Sequence, residues 1–398
     1  MDPVTQTLKI SSFSFRGDGI ASLPDGRVCF VRGGIPGDTV EAQVYSVKKN
    51  FARAVVRSIP VRSDYRRDSF CSLRANEPPC PGCVYAETAA EIELQAKQRQ
   101  YEDFLTRGGL APRCRFGEPF PSPHRTGYRS RLSLSCEGGQ AGYKADDNRT
   151  LIPVKNCPLA RKEINEVLPD LEIPEDARRL LIRYTEQDGT IVRFERAGRR
   201  ERHSGKDFLT EDLGEHGTFL TPPDSFFQVN KPVAKALIDT VLDYLKQKQP
   251  HFLLDLFCGS GFFTAAALRR FPGLRAVGVE LDPEAVRAAK LNVSRLAPGC
   301  DARFLALDAG KFDPARTSAE PETTLVLLDP PRTGLPERLA ETLKAWGPAH
   351  IVYVSCAPDM LRRDIERLGS GYEVREGRLF DMFPGTAHFE NITLLEKV

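Results

Sequence analysis

Three apolar segments in the second half of the sequence each end abruptly in a polar or glycine-containing turn. They are residues 253–256, 325–328 and 351–354. Strands that are almost continuously apolar are typical of a parallel sheet covered by helices on both faces. Open sheets of this kind bind ligands beyond the carboxyl ends of their strands. The sequence therefore predicts an α/β fold for this half, with a functional site at one edge of the sheet.

The turn after the first of these strands carries the motif Asp-x-Phe-x-Gly-x-Gly over residues 255–261. Glycines in such a turn let a ligand approach the backbone closely. A dinucleotide-binding loop would read Gly-x-Gly-x-x-Gly, but Thr264 occupies the place of the third glycine. The next predicted strand, 276–279, ends in Glu280, whose carboxylate can accept hydrogen bonds from ribose hydroxyls. The pattern disfavours a dinucleotide and indicates another ribose-containing ligand.

These motifs, followed by a further strand before Asp308, resemble the S-adenosylmethionine-binding half of class I methyltransferases. Four more motifs resemble the RNA uracil-C5 methyltransferase family. They are Phe-Phe-Gln-Val-Asn at 226–230, Asp-Pro-Pro-Arg at 329–332, Ser355-Cys356 and Phe-Pro-Gly-Thr-Ala-His-Phe-Glu at 383–390. The resemblance covers nearly the whole chain. It implies a class I Rossmann-like methyltransferase domain, S-adenosylmethionine as cofactor, and ribosomal or transfer RNA as partner.

The resemblance also implies roles for individual residues. The nucleophile and the base of the family correspond to Cys356 and Glu390. The predicted cofactor-binding residues are Gln228, Phe257, Gly259, Glu280, Asp308 and Asp329. Some relatives have Asn directly after the second glycine of the loop, where this sequence has Phe262. The contact made by that Asn is therefore not carried over.

The chemistry of uracil methylation calls for a thiol and a carboxylate. Carbon C5 of uracil becomes nucleophilic only after a thiolate adds to C6, and a base must then remove the C5 proton before the thiolate leaves. Cys356 and Glu390 suit these two steps, although a cysteine can also be a small apolar core residue. Asp329 is predicted to contact uracil or the cofactor, or else to cap a proline turn. His388 is interpreted as structural.

The length of 398 residues predicts two or three domains, with limits at 1–61, 62–220 and 221–398. Closely spaced strands with Gly and Pro turns in the first region predict a small OB-like β-barrel. This region resembles the TRAM domain, which implies RNA binding, while a barrel without a ligand is the alternative. The second region is predicted to be a central α+β domain. Its charge-rich helix at 87–106 is interpreted as a solvated face.

Composition limits the location and the partners of the protein. No apolar run reaches the roughly 18 residues that span a bilayer, and the first residues lack a signal-peptide pattern. We therefore expect a cytoplasmic protein, and also a monomer. A net charge of +2 provides no global positive field for RNA. Two local groups of arginines, together with Tyr128, are predicted to bind the RNA backbone or else to be ordinary surface residues. They are Arg113, Arg115, Arg125, Arg129, Arg131, Arg193, Arg196, Arg199, Arg200 and Arg202.

Four of the ten cysteines form a pattern typical of a metal site: Cys71, Cys80, Cys83 and Cys157. Cysteines of a cytoplasmic protein are more often reduced thiols or metal ligands than disulfides. Four thiolates can hold tetrahedral zinc or an iron–sulfur cluster. Several members of the resembled family hold a [4Fe-4S] cluster with cysteines placed in this way. The resemblance therefore favours the cluster over zinc.

Two other functions remain open at this point. An enzyme acting on cytosine C5 would also use a thiolate, but a Pro-Cys motif would be expected in place of Ser355-Cys356. A non-catalytic RNA-binding or RNA-folding protein would have no chemical need of Cys356, Glu390 and Asp329. The sequence does not distinguish ribosomal from transfer RNA, nor does it identify the uridine.

Overall fold

The computed structural model describes residues 4–107, 109–196 and 206–398. The N-terminal region is a six-stranded sheet with the order β1-β5-β6-β4-β3-β2. Its strands are β1 (Val4–Lys9), β2 (Ser12–Phe13), β3 (Gly19–Ser22), β4 (Val28–Arg32), β5 (Thr39–Val47) and β6 (Phe51–Val61). Alternate residues of β5, namely Val40, Ala42 and Val44, are buried. One face of this sheet therefore covers a small core of its own.

The middle of the chain contains a five-stranded antiparallel sheet with the order β10-β9-β8-β11-β12. The elements of this part are α1 (Ala90–Thr106), β7 (Arg115–Phe116), β8 (Arg131–Glu137), β9 (Gln140–Lys144), β10 (Leu151–Pro153), α2 (Lys162–Val167), β11 (Ala177–Thr185), β12 (Gly189–Arg196), β13 (Leu209–Asp212) and β14 (Thr218–Thr221). Strands β13 and β14 form a separate hairpin. The α+β character matches the expectation, while the domain limits stay a prediction.

The C-terminal part is built on an eight-stranded sheet with the order β17-β16-β15-β18-β19-β21-β20-β7. Its strands after β14 are β15 (Phe252–Leu256), β16 (Arg275–Glu280), β17 (Ala302–Ala306), β18 (Thr324–Leu328), β19 (His350–Ser355), β20 (Tyr372–Phe380) and β21 (Glu390–Lys397). Its helices are α3 (Lys231–Lys248), α4 (Phe262–Arg270), α5 (Pro283–Leu296), α6 (Glu337–Trp346) and α7 (Pro358–Leu368). Strands β15 to β19 are parallel, and β21 is antiparallel to β19 and β20.

Both faces of this sheet are covered, as the apolar strands predict. Every residue of β15 and of β18 is buried. On one face Leu253 and Leu325 pack with helices α3, α4 and α5, and on the other Leu254 and Val326 pack with α6 and α7. The carboxyl ends of the parallel strands therefore form one open edge. No helix in the described ranges combines the length and the apolar character needed to cross a membrane.

Helix α1 is not the solvated helix that its charge suggests, and this interpretation was wrong. Tyr101 and Leu105 lie in the core of the C-terminal sheet, and Glu93 and Lys97 on the same helical face are also buried. Residues spaced by three and four positions share one face of a helix. The charged groups are tolerated there because they form ion pairs with each other and with the C-terminal part. Strand β7 likewise joins the C-terminal sheet through β20.

Candidate active site at the carboxyl ends of the strands

A cavity of about 750 Å³ lies at the carboxyl ends of β15, β16, β18 and β19. All eight residues predicted as catalytic or cofactor-binding lie in its wall: Gln228, Phe257, Gly259, Glu280, Asp308, Asp329, Cys356 and Glu390. Parallel strands bring their carboxyl ends to the same edge, which is why residues far apart in the sequence meet here. The cavity therefore joins the glycine loop and the thiol in one site.

The glycine loop is held in a conformation that exposes its backbone to the cavity. Phe257 has a φ of +68°, which is uncommon for a residue with a side chain. A Cβ added at Gly259 would meet no atom within 4 Å, whereas one at Gly261 would lie 3.0 Å from the Cβ of Ala289. Gly261 therefore allows helices α4 and α5 to pack closely. Gly259 leaves free space on the cavity side of the loop.

Glu280 is fixed by the loop that it faces. Its Oε2 accepts a hydrogen bond from the N–H of Gly259 at 3.1 Å, and its Oε1 accepts one from the N–H of Asp282 at 2.9 Å. Asp282 in turn caps helix α5 by accepting from the N–H of Glu284. These bonds orient the carboxylate before any ligand arrives. A carboxylate at the end of the second strand is the arrangement that binds ribose hydroxyls.

Three further side chains complete the wall. Gln228 is buried, and its Oε1 has no hydrogen-bond partner among the described residues. A buried polar atom without a hydrogen-bond partner lowers the stability of the fold unless a ligand or a water molecule bonds to it. Oδ1 of Asp308 caps a short turn by accepting from the N–H of Gly310 at 2.9 Å. Phe262 packs against Phe227, with ring centroids 5.6 Å apart, so this part of the wall is apolar.

Two buried carboxyl groups belong to this part of the sheet: Asp329 lines the cavity, and Asp255 lies in β15. Burial raises the pKa of Asp329 to about 7, and the charges of Asp255 and Glu280 add to this effect. Burial likewise raises the pKa of Asp255 to about 7, although a hydrogen bond from the hydroxyl of Thr264 opposes it. Asp255 had no predicted role, even though it begins the Asp-x-Phe-x-Gly-x-Gly motif. The site therefore contains carboxyl groups whose ionised forms would be favoured by a cationic ligand.

The pairing of β19 with β21 brings Cys356 and Glu390 together. Ser355 ends β19 and pairs with Asn391, so the next residue, Cys356, comes opposite Glu390, the residue that begins β21. Nδ2 of Asn391 donates to the carbonyl oxygen of Ser355 at 2.8 Å and holds this register. The hydroxyl of Ser355 accepts from the N–H of Ala357 at 3.0 Å, which shapes the turn after the thiol. The sheet itself therefore sets the thiol and the carboxyl group on one cavity wall.

The surroundings of Cys356 and Glu390 disfavour negative charge in the free protein. Burial raises the pKa of Cys356 to about 12, and Glu390 and Asp329 add to it. Burial raises the pKa of Glu390 well above its usual range, and Asp329 adds to it. Arg332 opposes both shifts by its charge. Arg332 was not among the predicted site residues, although it ends the Asp-Pro-Pro-Arg motif.

His388 does not line the cavity. Its backbone N–H donates to the hydroxyl of Thr386 at 3.2 Å, and its ring lies with its edge toward Phe383, at a centroid distance of 6.4 Å. These contacts belong to the turn before Glu390. The structural interpretation of His388 remains a prediction.

The four cysteines predicted as metal ligands are buried and lie near one another: Cys71, Cys80, Cys83 and Cys157. Burial raises the pKa of Cys83 to about 12, and the other three thiols add to this effect. Within the described ranges, no group of three or more His, Cys, Asp or Glu side chains is arranged to hold a metal ion. The chain therefore brings the thiols together without forming a site for a single ion.

Several of the predicted RNA-binding arginines make contacts within the protein. Arg131 donates to the carbonyl oxygen of Ser225 at 3.0 Å, and Arg125 donates to that of Tyr85 at 2.7 Å. Arg113 is paired with Glu373 at 3.8 Å. The others in ion pairs are Arg115 with Glu376, Arg193 with Asp224 and Arg196 with Asp176. Arg199, Arg200 and Arg202 lie outside the described residues, and RNA binding by either arginine group stays a prediction.

Comparison with known proteins agrees with this geometry. Residues 4–56 match the TRAM domain, and residues 159–398 match the tRNA (uracil-5-)-methyltransferase family. The 23S rRNA (uracil(1939)-C(5))-methyltransferase RlmD of Pseudomonas aeruginosa is 31% identical, over 98% of this chain and 94% of its own length. The corresponding protein of Marinomonas sp. is 30% identical, over 98% of this chain and 95% of its own length.

A solved structure shows the same fold over the whole molecule. The tRNA (uracil-54, C5)-methyltransferase of Pyrococcus abyssi, in complex with S-adenosyl-L-homocysteine, superposes with a TM-score of 0.74 at 24% identity. The match covers 98% of this chain and 100% of the other. The predicted fold class is confirmed. The chain belongs to the tRNA (uracil-5-)-methyltransferase family, with a TRAM domain at its N-terminus, and is an S-adenosylmethionine-dependent RNA uracil-C5 methyltransferase.

Proposed function

We propose that the protein methylates C5 of one uridine in structured ribosomal RNA through a covalent bond between Cys356 and C6 of the base, with Glu390 as the base catalyst. The facing positions of Cys356 and Glu390 on one cavity wall carry this proposal. Ribosomal RNA is favoured over transfer RNA because relatives that match along 98% of this chain are named for 23S rRNA. The target uridine must leave its stack to reach the cavity.

Bound S-adenosylmethionine would supply the methyl group, and the residues of the cavity fit it. Glu280, held by Gly259, would accept hydrogen bonds from the ribose hydroxyls. Oε1 of Gln228, which has no partner among the described residues, would accept a hydrogen bond from the cofactor. Asp308 and Asp329 supply further acceptors, and Phe257 supplies an apolar surface. This set matches a molecule with a nucleoside, a charged amino acid and a sulfonium.

The protein residues then carry the covalent steps. The thiol of Cys356 first loses its proton to solvent, and the thiolate then adds to C6. The electron pair of the C5–C6 double bond moves into the ring and its C4 carbonyl. Arg332 stabilises the thiolate by its charge. After C5 has gained its methyl group, the carboxylate of Glu390 takes the C5 proton. The C5–C6 double bond forms again, and the Cys356 thiolate is released.

Analysis of nucleosides tests the proposal directly. The protein is incubated with ribosomal RNA from a strain that lacks it and with cofactor carrying a labelled methyl group. We expect labelled 5-methyluridine at one position of the large ribosomal RNA, detected by mass spectrometry. Label in 5-methylcytidine would indicate the cytosine enzyme, and no label in any RNA would indicate a non-catalytic RNA-binding protein. Label only in transfer RNA would overturn the choice of ribosomal RNA.

Binding of S-adenosylmethionine is expected to strengthen as the pH rises through about 7. In the free protein burial raises the pKa of Asp255 and of Asp329 to about 7. The positive charge of the sulfonium favours the ionised forms of both carboxyl groups. Binding below this pH therefore releases protons. For each group the affinity changes by up to about tenfold per pH unit. S-adenosylhomocysteine lacks the sulfonium charge and should show a smaller change. Titration calorimetry of both ligands below and above pH 7 measures the difference. Equal pH dependence for the two ligands would contradict the prediction.

We also propose that Cys71, Cys80, Cys83 and Cys157 hold a [4Fe-4S] cluster. The support is that the four thiols are buried and lie near one another. In a cluster each cysteine binds a different iron, so the sulfur atoms need not meet at one ion. Zinc, by contrast, needs four ligands about one centre at roughly 2.3 Å.

Protein purified without oxygen is expected to be brown and to contain about four iron and four sulfide per chain. Replacing Cys83 by Ser should lower the iron content and reduce thermal stability, because metal binding is coupled to folding. Cys136→Ser is the matched control, since Cys136 is buried in the same sheet core but is not one of the four. Stoichiometric zinc without iron would contradict the cluster and leave a structural zinc site.

A further inference from the structure

Helix α1 contains a lysine whose side chain has no solvent exposure. Nζ of Lys97 donates to Oε1 of Glu93 at 2.6 Å, to Oδ1 of Asp381 at 2.7 Å and to the carbonyl oxygen of Phe383 at 3.2 Å. An ammonium group has three donors, so all of them are used. Burial would lower the pKa of Lys97, but the carboxylates of Glu93 and Asp381 outweigh burial and raise it. The side chain therefore stays charged.

Two of the three partners of Lys97 belong to the catalytic loop, which we define as residues 381–389 between β20 and β21. The N–H of Gly385 in this loop donates to Oε1 of Glu93 at 2.6 Å, and its carbonyl oxygen accepts from the N–H of Tyr85 at 3.0 Å. A Cβ added at Gly385 would come within 2.8 Å of the ring of Phe70. The turn of the catalytic loop therefore packs closely against the segment that contains α1 and forms hydrogen bonds with it.

The catalytic loop contains one residue of the cavity wall, Phe383, and leads directly into another, Glu390. Phe383 and Glu390 both line the cavity, whereas Lys97 does not. Lys97 donates to the backbone carbonyl of Phe383 and lies outside the cavity wall, so it contacts the loop and not the cavity. Asp381 begins the loop, and Glu390 follows its last residue, Phe389, as the first residue of β21. A change at Lys97 would therefore reach the reacting atoms only by moving this loop.

The buried charges are a poor means of adding stability. Removing Lys97, Glu93 and Asp381 from water carries a large desolvation cost, and replacing a buried ion pair by apolar residues is often neutral or stabilising. Their geometry, in contrast, is demanding: two carboxylates and one backbone carbonyl must surround a single ammonium. Directional bonds of this kind fix a position better than apolar packing does. The arrangement therefore indicates that the three charged residues hold the catalytic loop in position.

We propose that Lys97 is a positioning residue for the methylation reaction: with Glu93 and Asp381 it fixes the catalytic loop so that Glu390 can reach the C5 proton of the covalent intermediate. The inference rests on the proposed role of Glu390 as the base. Cys356 follows Ser355, the last residue of β19, whose carbonyl oxygen accepts a hydrogen bond from Asn391, so we expect the addition of the thiolate not to depend on Lys97. Lys97 therefore acts on the release of the adduct and not on its formation.

The test measures adduct formation and adduct release separately in single-turnover reactions with RNA and cofactor. In Lys97→Met we expect formation at the normal rate and release slowed by about 10–100-fold, the effect of displacing a catalytic group by about 1 Å. The protein–RNA adduct should be visible on denaturing gels. Rates are taken per cofactor-binding site, which removes the effect of any unfolded chains. A folded Lys97→Met that releases the adduct at the normal rate would overturn the proposal.

Two further variants keep the result interpretable. Asp381→Asn keeps the shape and one acceptor oxygen of the side chain, so it should fold and slow the release by a smaller factor than Lys97→Met. If Lys97→Met does not fold, normal release in Asp381→Asn refutes the proposal. Arg99→Met removes an exposed positive charge from the same helix and should change neither rate.

The variant of the base itself separates this inference from the proposed function. If Glu390→Gln releases its adduct freely, the proposed role of Glu390 fails. If Glu390→Gln accumulates the adduct and Lys97→Met does not, only the positioning role of Lys97 fails.

Discussion

Replacement of Cys356 by Ala is expected to abolish methylation, with turnover lowered by more than about 10⁴-fold, the scale seen when a covalent nucleophile is removed. Without the thiol no bond to C6 can form, and C5 stays too poor a nucleophile to take the methyl group. No protein–RNA adduct should therefore appear on denaturing gels. The measurement is the incorporation of labelled methyl groups into RNA, together with the gel assay.

Cofactor binding should survive in Cys356→Ala, because the proposed contacts to S-adenosylmethionine come from other parts of the cavity wall, such as Glu280 and Gln228. Cys300→Ala is the matched control. Cys300 is partly exposed and lies beside the carbonyl oxygen of Leu268, away from the residues of the cavity. It should keep normal turnover. Turnover close to normal in Cys356→Ala would show that the covalent mechanism is wrong.

The C-terminal sheet could be predicted because its strands are buried on both faces. Residues 253–256 and 325–328 are almost continuously apolar, and they fall within β15 (Phe252–Leu256) and β18 (Thr324–Leu328). Such strands leave a strong local pattern. Since parallel strands end at one edge, the positions of their last residues also place the site. For this reason residues as distant in sequence as Gln228 and Glu390 could be predicted in one cavity.

The role of α1 could not be predicted in the same way. Its charged residues suggest a solvated helix, and only the fold shows that Lys97 meets Asp381, 284 positions further along the chain. Nothing in the local pattern records such a partner. Arg332 is a similar case, because its proximity to Cys356 depends on how the turns after β18 and β19 approach each other. Long-range polar contacts are thus the part of the site that local sequence patterns do not contain.

Replacement of Glu390 by Gln is expected to leave the first half of the reaction intact and to stop the second. Gln has nearly the shape of a protonated carboxyl group, and burial raises the pKa of Glu390 well above its usual range, so the resting protein should fold and bind cofactor normally. The thiol of Cys356 can still add to C6, and C5 can still gain its methyl group. Without the base the C5 proton remains and release of the thiolate should slow by about 10²–10⁴-fold.

The methylated protein–RNA adduct should therefore accumulate in Glu390→Gln and survive denaturing electrophoresis, with labelled methyl groups in the same band. The matched control is Glu396→Gln, on the same strand but in ion pairs with Lys248 and Arg375 and outside the cavity. It should release the product normally. If Glu390→Gln turns over freely and no adduct appears, another group removes the C5 proton. Asp329 would then be the next residue to replace, because its buried carboxyl group lines the same cavity and its pKa is raised to about 7.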